Sequence, residues 1–201
     1  IRVWNRIAVS DQVDRRLARS AHAAVFGRAR GRRPPRAYAS GMTTDMRIFS
    51  DIADLEASVG KHVGDSPWLT VTQKMIDDFA AVTRDVQWIH VDVERAKRES
   101  PFGAPVAHGF LTLSLLSTMM QSTVRTENVA LSVNYGFEKV RFVSPVPVDS
   151  EIRASVTVGD VKRTPEGAQV TWNVEVQLRG QEKPALVAAW LGRIYTKAPA
   201  A

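Results

Sequence analysis

Residues 109–125 read GFLTLSLLSTMMQSTVR, and no charged side chain stands between His108 and Arg125. The apolar members Phe110, Leu111, Leu113, Leu115, Leu116, Met119 and Met120 go most of the way round a 3.6-residue helix. A helix of that kind is expected to be buried on nearly every side.

What buries it is read from the C-terminal half, where the hydrophobic period changes to two. IRASVTV alternates at Ile152, Ala154, Val156 and Val158. VTWNVEVQL alternates at Val170, Trp172, Val174, Val176 and Leu178, and VALSVNY at Val129, Leu131, Val133 and Tyr135. Each is expected to be a strand with one buried face. KVRFV and ALVAAWLGRIY supply two more, the second almost continuously apolar and therefore expected inside the sheet. Turn signals at Ser144-Pro145, Pro147, Thr164-Pro165-Glu166-Gly167 and Arg179-Gly180 separate them. Connections this short imply antiparallel neighbours. The fold class expected is α+β, a curved antiparallel β-sheet wrapped around a long central helix.

Two helices and a short strand precede it. In DIADLEASV, residues 51–59, Ile52, Leu55 and Val59 share a face, with Gly60 as the stop. A strand is expected over 67–71. Thr72 then caps TQKMIDDFAAVT, whose stripe is Met75, Ile76, Phe79 and Val82. That helix ends near Arg84 and delivers the chain to Asp85.

Composition narrows the function classes. At 201 residues, 44% hydrophobic and 24% charged, the chain suits one globular domain. The absence of cysteine removes disulfides, thiolate metal sites and cysteine nucleophiles. No run approaches the roughly 18 apolar residues of a membrane span, so the chain reads as soluble. The pI of about 10 is a local effect. Residues 1–41 hold ten arginines and no lysine against Asp11 and Asp14, a net of +8, which leaves −2 for the rest. A nearly neutral folded part does not point to nucleic acid. Residues 1–41, with RARGRRPPR and no apolar periodicity, are expected to be a disordered basic extension, and 42–201 a single domain. Met42 is the expected translation start, with a targeting peptide and a basic arm for an anionic partner as the alternatives.

Asp85 and His90 are the candidate acid/base pair. Five positions apart, they diverge by about 140° on a helix and face oppositely on a strand, so a turn must bring them together. A carboxylate and an imidazole joined on a loop can hold one water and exchange its protons. Downstream, SPFGAPVAHGF places Gly109 at the start of the apolar helix, where free N–H groups and the helix dipole suit an oxyanion. Gln87, His108 and Phe110 are the candidate substrate-binding residues, although a histidine at a helix start more often caps or packs. His62 reads as a surface residue. There is no G-x-S-x-G, phosphate-binding glycine loop or metal-ligand cluster, so no metal or other cofactor is expected.

The segment D85-V-Q87-W-I-H90-V-D, followed by S100-P-F-G-A-P-V-A-H108-G109-F-L-T-L, resembles the MaoC-like dehydratases, the (R)-specific enoyl-CoA hydratases of hot dog fold. Their motif runs approximately G-D-x-N-P-L-H, and Asp85 and His90 match its catalytic pair at the same spacing. Arg84 stands where the family often has Gly, Gln87 where it has Asn, and Trp88-Ile89 where it has Pro-Leu, a variant associated with the NodN-like branch. The resemblance covers most of residues 50–196. It implies reversible hydration of a trans-2-enoyl thioester of CoA or acyl carrier protein to the (R)-3-hydroxyacyl product. Asp85 and His90 would handle the water, and the Gly109 amide the thioester oxygen. It also implies a cytoplasmic homodimer with no nucleic-acid or membrane partner. A non-catalytic acyl-thioester-binding subunit and a hot dog thioesterase are the alternatives.

Overall fold

The computed structural model describes residues 46–196. The basic segment 1–41, with the expectation of disorder attached to it, lies outside them. Helix α1 spans Ile52–Ala57, α2 Gln73–Thr83, α3 Trp88–Val91, α4 Val93–Glu99 and α5 Gly109–Thr123. Strands β1 (Arg47–Phe49) and β4 (Val124–Thr126) form a small parallel pair. Strands β2 (His62–Asp65), β6 (Glu151–Thr164), β7 (Gly167–Leu178), β8 (Leu186–Tyr195) and β5 (Leu131–Phe142) are adjacent in that order, with β3 (Leu69–Thr70) also on β6. Every pairing in this sheet is antiparallel. Among the described residues, no helix is long and apolar enough to cross a membrane.

The alternation in the sequence sets the inner face. Ile152, Ala154, Val156 and Val158 of β6 are fully buried, and Val170, Trp172, Val174, Val176 and Leu178 of β7 line up beside them. Helix α5 contacts β6 and β2, and its Leu111, Leu116, Met119 and Met120 join the same core. Strand β8 is interior, as its composition predicts, between β7 and β5.

Four expectations are corrected. The opposite face of α5 is open in this chain: Phe110, Ser114, Ser117, Thr118 and Gln121 are exposed. Their spacing forms one helical stripe, so the run is amphipathic, with hydroxyls and an amide where burial was expected. VALSVNY and KVRFV are one strand, not two. Gly136, at φ 153°, lets β5 shift register between Asn134 and Gly136 and again between Phe137 and Lys139 without ending. Val59 and Val82 fall off their buried stripes. Helix α1 stops at Ala57, leaving Val59 exposed, and Val82 lies on the last turn of α2 at 84% exposure. Finally, the strand expected over 67–71 pairs only at Leu69–Thr70.

Helix α2 begins as predicted, with the Thr72 hydroxyl accepting from the Met75 amide at 3.3 Å. It buries Ile76 and Ala80 and ends at Arg84, whose φ of 62° and ψ of 19° are left-handed. Non-glycine residues pay for that conformation sterically. Arg84→Gly is therefore expected to stabilise the fold by about 0.5–1 kcal/mol. Urea unfolding would register it as a raised midpoint at unchanged slope.

Candidate active site

The left-handed turn at Arg84 takes the chain out of α2 and sets Asp85 at the surface. Only residues 84–87 are irregular, and Trp88–Val91 forms the single turn α3, in which the His90 amide donates to the Gln87 carbonyl at 3.0 Å. His90 is thereby turned inward and is 7% exposed.

The segment before α5 meets it there. The Val106 amide donates to the Ile89 carbonyl at 3.1 Å, and the His90 Nδ1 donates to the Val106 carbonyl at 2.6 Å. Residues 105–107 are also bonded to 146–148, through Ala107 N–H to Val146 O and Val148 N–H to Pro105 O. The connector between the two motif halves is thus strapped at its end to α3 on one side and to the 146–148 segment on the other.

A carbonyl only accepts, so the 2.6 Å bond requires the His90 proton on Nδ1. The neutral ring then carries its lone pair on Nε2. Burial pushes the His90 pKa below the ordinary imidazole value. The Val106 bond opposes this, the neighbouring His108 adds to it and the Asp85 carboxylate opposes it, and the net direction is downward. His90 is held neutral and ready to accept a proton.

His108, a candidate from the sequence and a residue type that packs or caps at a helix start, is packed into the site. It makes no side-chain cap. Its ring is 3% exposed, stacks on His90 with centroids 3.8 Å apart, and touches Phe79 at 5.1 Å. Its Nε2 donates to the Asp85 carbonyl at 2.9 Å, so one side chain ties the Asp85 loop to the start of α5. The only signal in the sequence was its place beside Gly109.

The Asp85 carboxylate and one nitrogen from each imidazole all lie within 4.8 Å of one another. Two such groups can share a water placed about 2.8 Å from each. The set also has the composition of a two-histidine, one-carboxylate metal site. Its shape fits a metal poorly, because rings stacked with 27° between their planes do not aim two lone pairs at one point about 2.1 Å from both.

The remaining candidates divide. Gly109 opens α5 at position N1, and among the described residues no group accepts from its amide. What lies close to its α-carbon is a side chain and not open space: an added Cβ would sit 3.0 Å from the Phe142 ring. Phe110 is 67% exposed and meets Phe142 edge-on at 5.9 Å, on the rim of the site. Gln87 is exposed, and no bond to a described residue holds its amide. His62 is on the surface as read, bonded to Asp65 at 2.9 Å.

Comparison with known proteins gives the family. The family model described as MaoC like domain matches residues 54–179. The chain belongs to the MaoC-like dehydratase family. Among its relatives, 3-hydroxyacyl-thioester dehydratase Z of Mycobacterium tuberculosis is 46% identical over 144 residues, 71% of this chain and 95% of that protein. Nodulation protein N of Rhizobium meliloti is 42% identical over 142 residues, 70% and 88% of the two chains. The solved R-hydratase PhaJ1 of Pseudomonas aeruginosa superposes with a TM-score of 0.59, covering 73% of this chain and 86% of its own at 20% identity. That likeness is one of fold, and the MaoC-like chain has the hot dog architecture: an antiparallel sheet packed on a long helix.

Proposed function

We propose that this protein is an (R)-specific enoyl-thioester hydratase, adding water reversibly across the trans-2,3 double bond of an acyl-CoA or acyl carrier protein thioester. The observation that carries the reading is the Asp85 carboxylate lying within 4.8 Å of a neutral, tautomer-fixed His90. Asp85 and His90 bind one water. Its oxygen adds to C3, one of its protons passes to the pair, and the pair returns a proton to C2. Because they act on a shared water, their protonation states belong to the pair. The Gly109 amide, backed by the α5 dipole, stabilises the charge that grows on the thioester oxygen. The addition involves no change of redox state and draws on no cofactor. Gln87 and Phe110 line the approach to the thioester.

The same reading makes the protein a cytoplasmic homodimer. The exposed stripe of α5 beside Phe142, and the edge strand β5, are surfaces that a second copy would cover.

Crotonyl-CoA supplied to the protein should lose its enoyl absorbance. A well-folded preparation that hydrates no chain length would sink the proposal, and release of free thiol would replace it with a thioesterase. The pH profile carries a second expectation. With the His90 pKa lowered from 6.5, the acid limb of the hydration profile should have its midpoint below pH 6.5. The sign for stability is the same. A depressed folded-state pKa means that this contribution is full above the unfolded value and declines as pH drops through the folded one.

A further inference from the structure

We propose that Gln73 is a positioning residue for His90, its side-chain amide fixing the backbone from which the imidazole projects. Gln73 Nε2 donates to the His90 carbonyl at 2.9 Å and to Asp77 Oδ1 at 2.9 Å. These two acceptors use both of its N–H groups. Its Oε1 is buried with no hydrogen-bond partner among the described residues. Turned over, the amide would set that oxygen against two oxygens, so the acceptors dictate its orientation. An apolar side chain would fill the same space without stranding a buried acceptor. What glutamine adds is the two donations.

His90 needs them because α3 is one turn long. A helix that short has no internal bond to spare for its last carbonyls and little stability of its own. The ring is held by Val106, and the main chain by Gln73. Gln73 is the first residue of α2, and the C-cap of α2 immediately precedes Asp85. One helix thus registers both members of the pair, Asp85 from its end and His90 from its beginning.

The turnover arm of the test rests on the hydratase reading, and a spectroscopic arm does not. Gln73→Met keeps the volume and removes both donors, while Gln73→Lys keeps a donor within reach. Gln73→Met should lower kcat about tenfold, the scale of a small misplacement of a catalytic group, with KM within about twofold and the unfolding midpoint near that of the wild type. Gln73→Lys should recover most of the loss. In nitrogen NMR of the histidine rings, assigned with His90→Gln, the wild-type His90 should show one Nδ1–H tautomer. In Gln73→Met that proton should exchange with solvent faster by about tenfold. An unchanged His90 signal in Gln73→Met overturns the inference whatever the turnover, as does a wild-type kcat. A wild type that hydrates nothing, alongside a Gln73→Met spectrum altered as described, would remove the hydratase reading and leave the positioning role standing.

Discussion

His90→Gln is expected to lower kcat for enoyl-thioester hydration by roughly 10²–10⁴-fold, and Asp85→Asn by a comparable factor, the range that general acid–base groups supply. Neither glutamine nor asparagine can take a proton from the water at neutral pH, yet each keeps the shape and polarity of the residue it replaces. Asp85 is exposed, so its replacement should leave stability within about 0.5 kcal/mol. His90 is buried and loses its bond to Val106, which should cost about 1 kcal/mol and leave the chain folded. The double variant is the sharper measurement. Both groups act on the same water, so removing both should cost little more than the worse single change. Multiplying losses would show two independent functions, and a single variant keeping more than about a tenth of wild-type turnover would remove that residue from the chemistry.

The sheet could be read from the sequence because its signal is one-dimensional. Residues 152–158 and 170–178 alternate strictly, and a period-two pattern admits only one buried face. The Asp85–His90 spacing could be read for a similar reason, since five residues must include a turn for the two side chains to converge. Other features depend on contacts that no local pattern carries. His108 enters through a bond to a carbonyl 23 residues earlier, and Gln73 through one 17 residues later. Both use backbone carbonyls, which every residue has, so nothing in the partner's identity marks the pairing. The continuity of β5 is not visible in a period-two pattern, because the two register shifts around Gly136 and Phe137 break the alternation, and only the pairing with β8 shows one strand. The open face of α5 was in the sequence, in Ser114, Ser117, Thr118 and Gln121. The apolar residues Phe110, Leu113 and Leu115 spread toward that face, so the polar stripe is narrow and only the packing shows that it is open.

Gly109→Pro, set against Gly109→Ala, isolates the amide proposed to stabilise the thioester oxygen. Both changes add a Cβ at the same point, about 3.0–3.2 Å from the Phe142 ring. That ring is 48% exposed, so it can swing outward to make room. Only proline removes the N–H. The backbone accepts proline here: Gly109 is the first residue of α5, where an amide has no intrahelical partner, and His108 has the φ of −58° and ψ of 136° that suit a residue before proline. Alanine should lower kcat/KM by only a few-fold, with its better helix propensity, about 1 kcal/mol over glycine, offsetting the contact with Phe142. Proline should lower kcat by about 10²–10³ beyond alanine, the loss found when one oxyanion donor is taken away. Its unfolding midpoint should match that of the alanine variant. Equal activity in the two would mean that the Gly109 amide carries none of the developing charge. The donors would then have to be sought at Phe110 and Leu111, whose amides also lie in the first turn of α5.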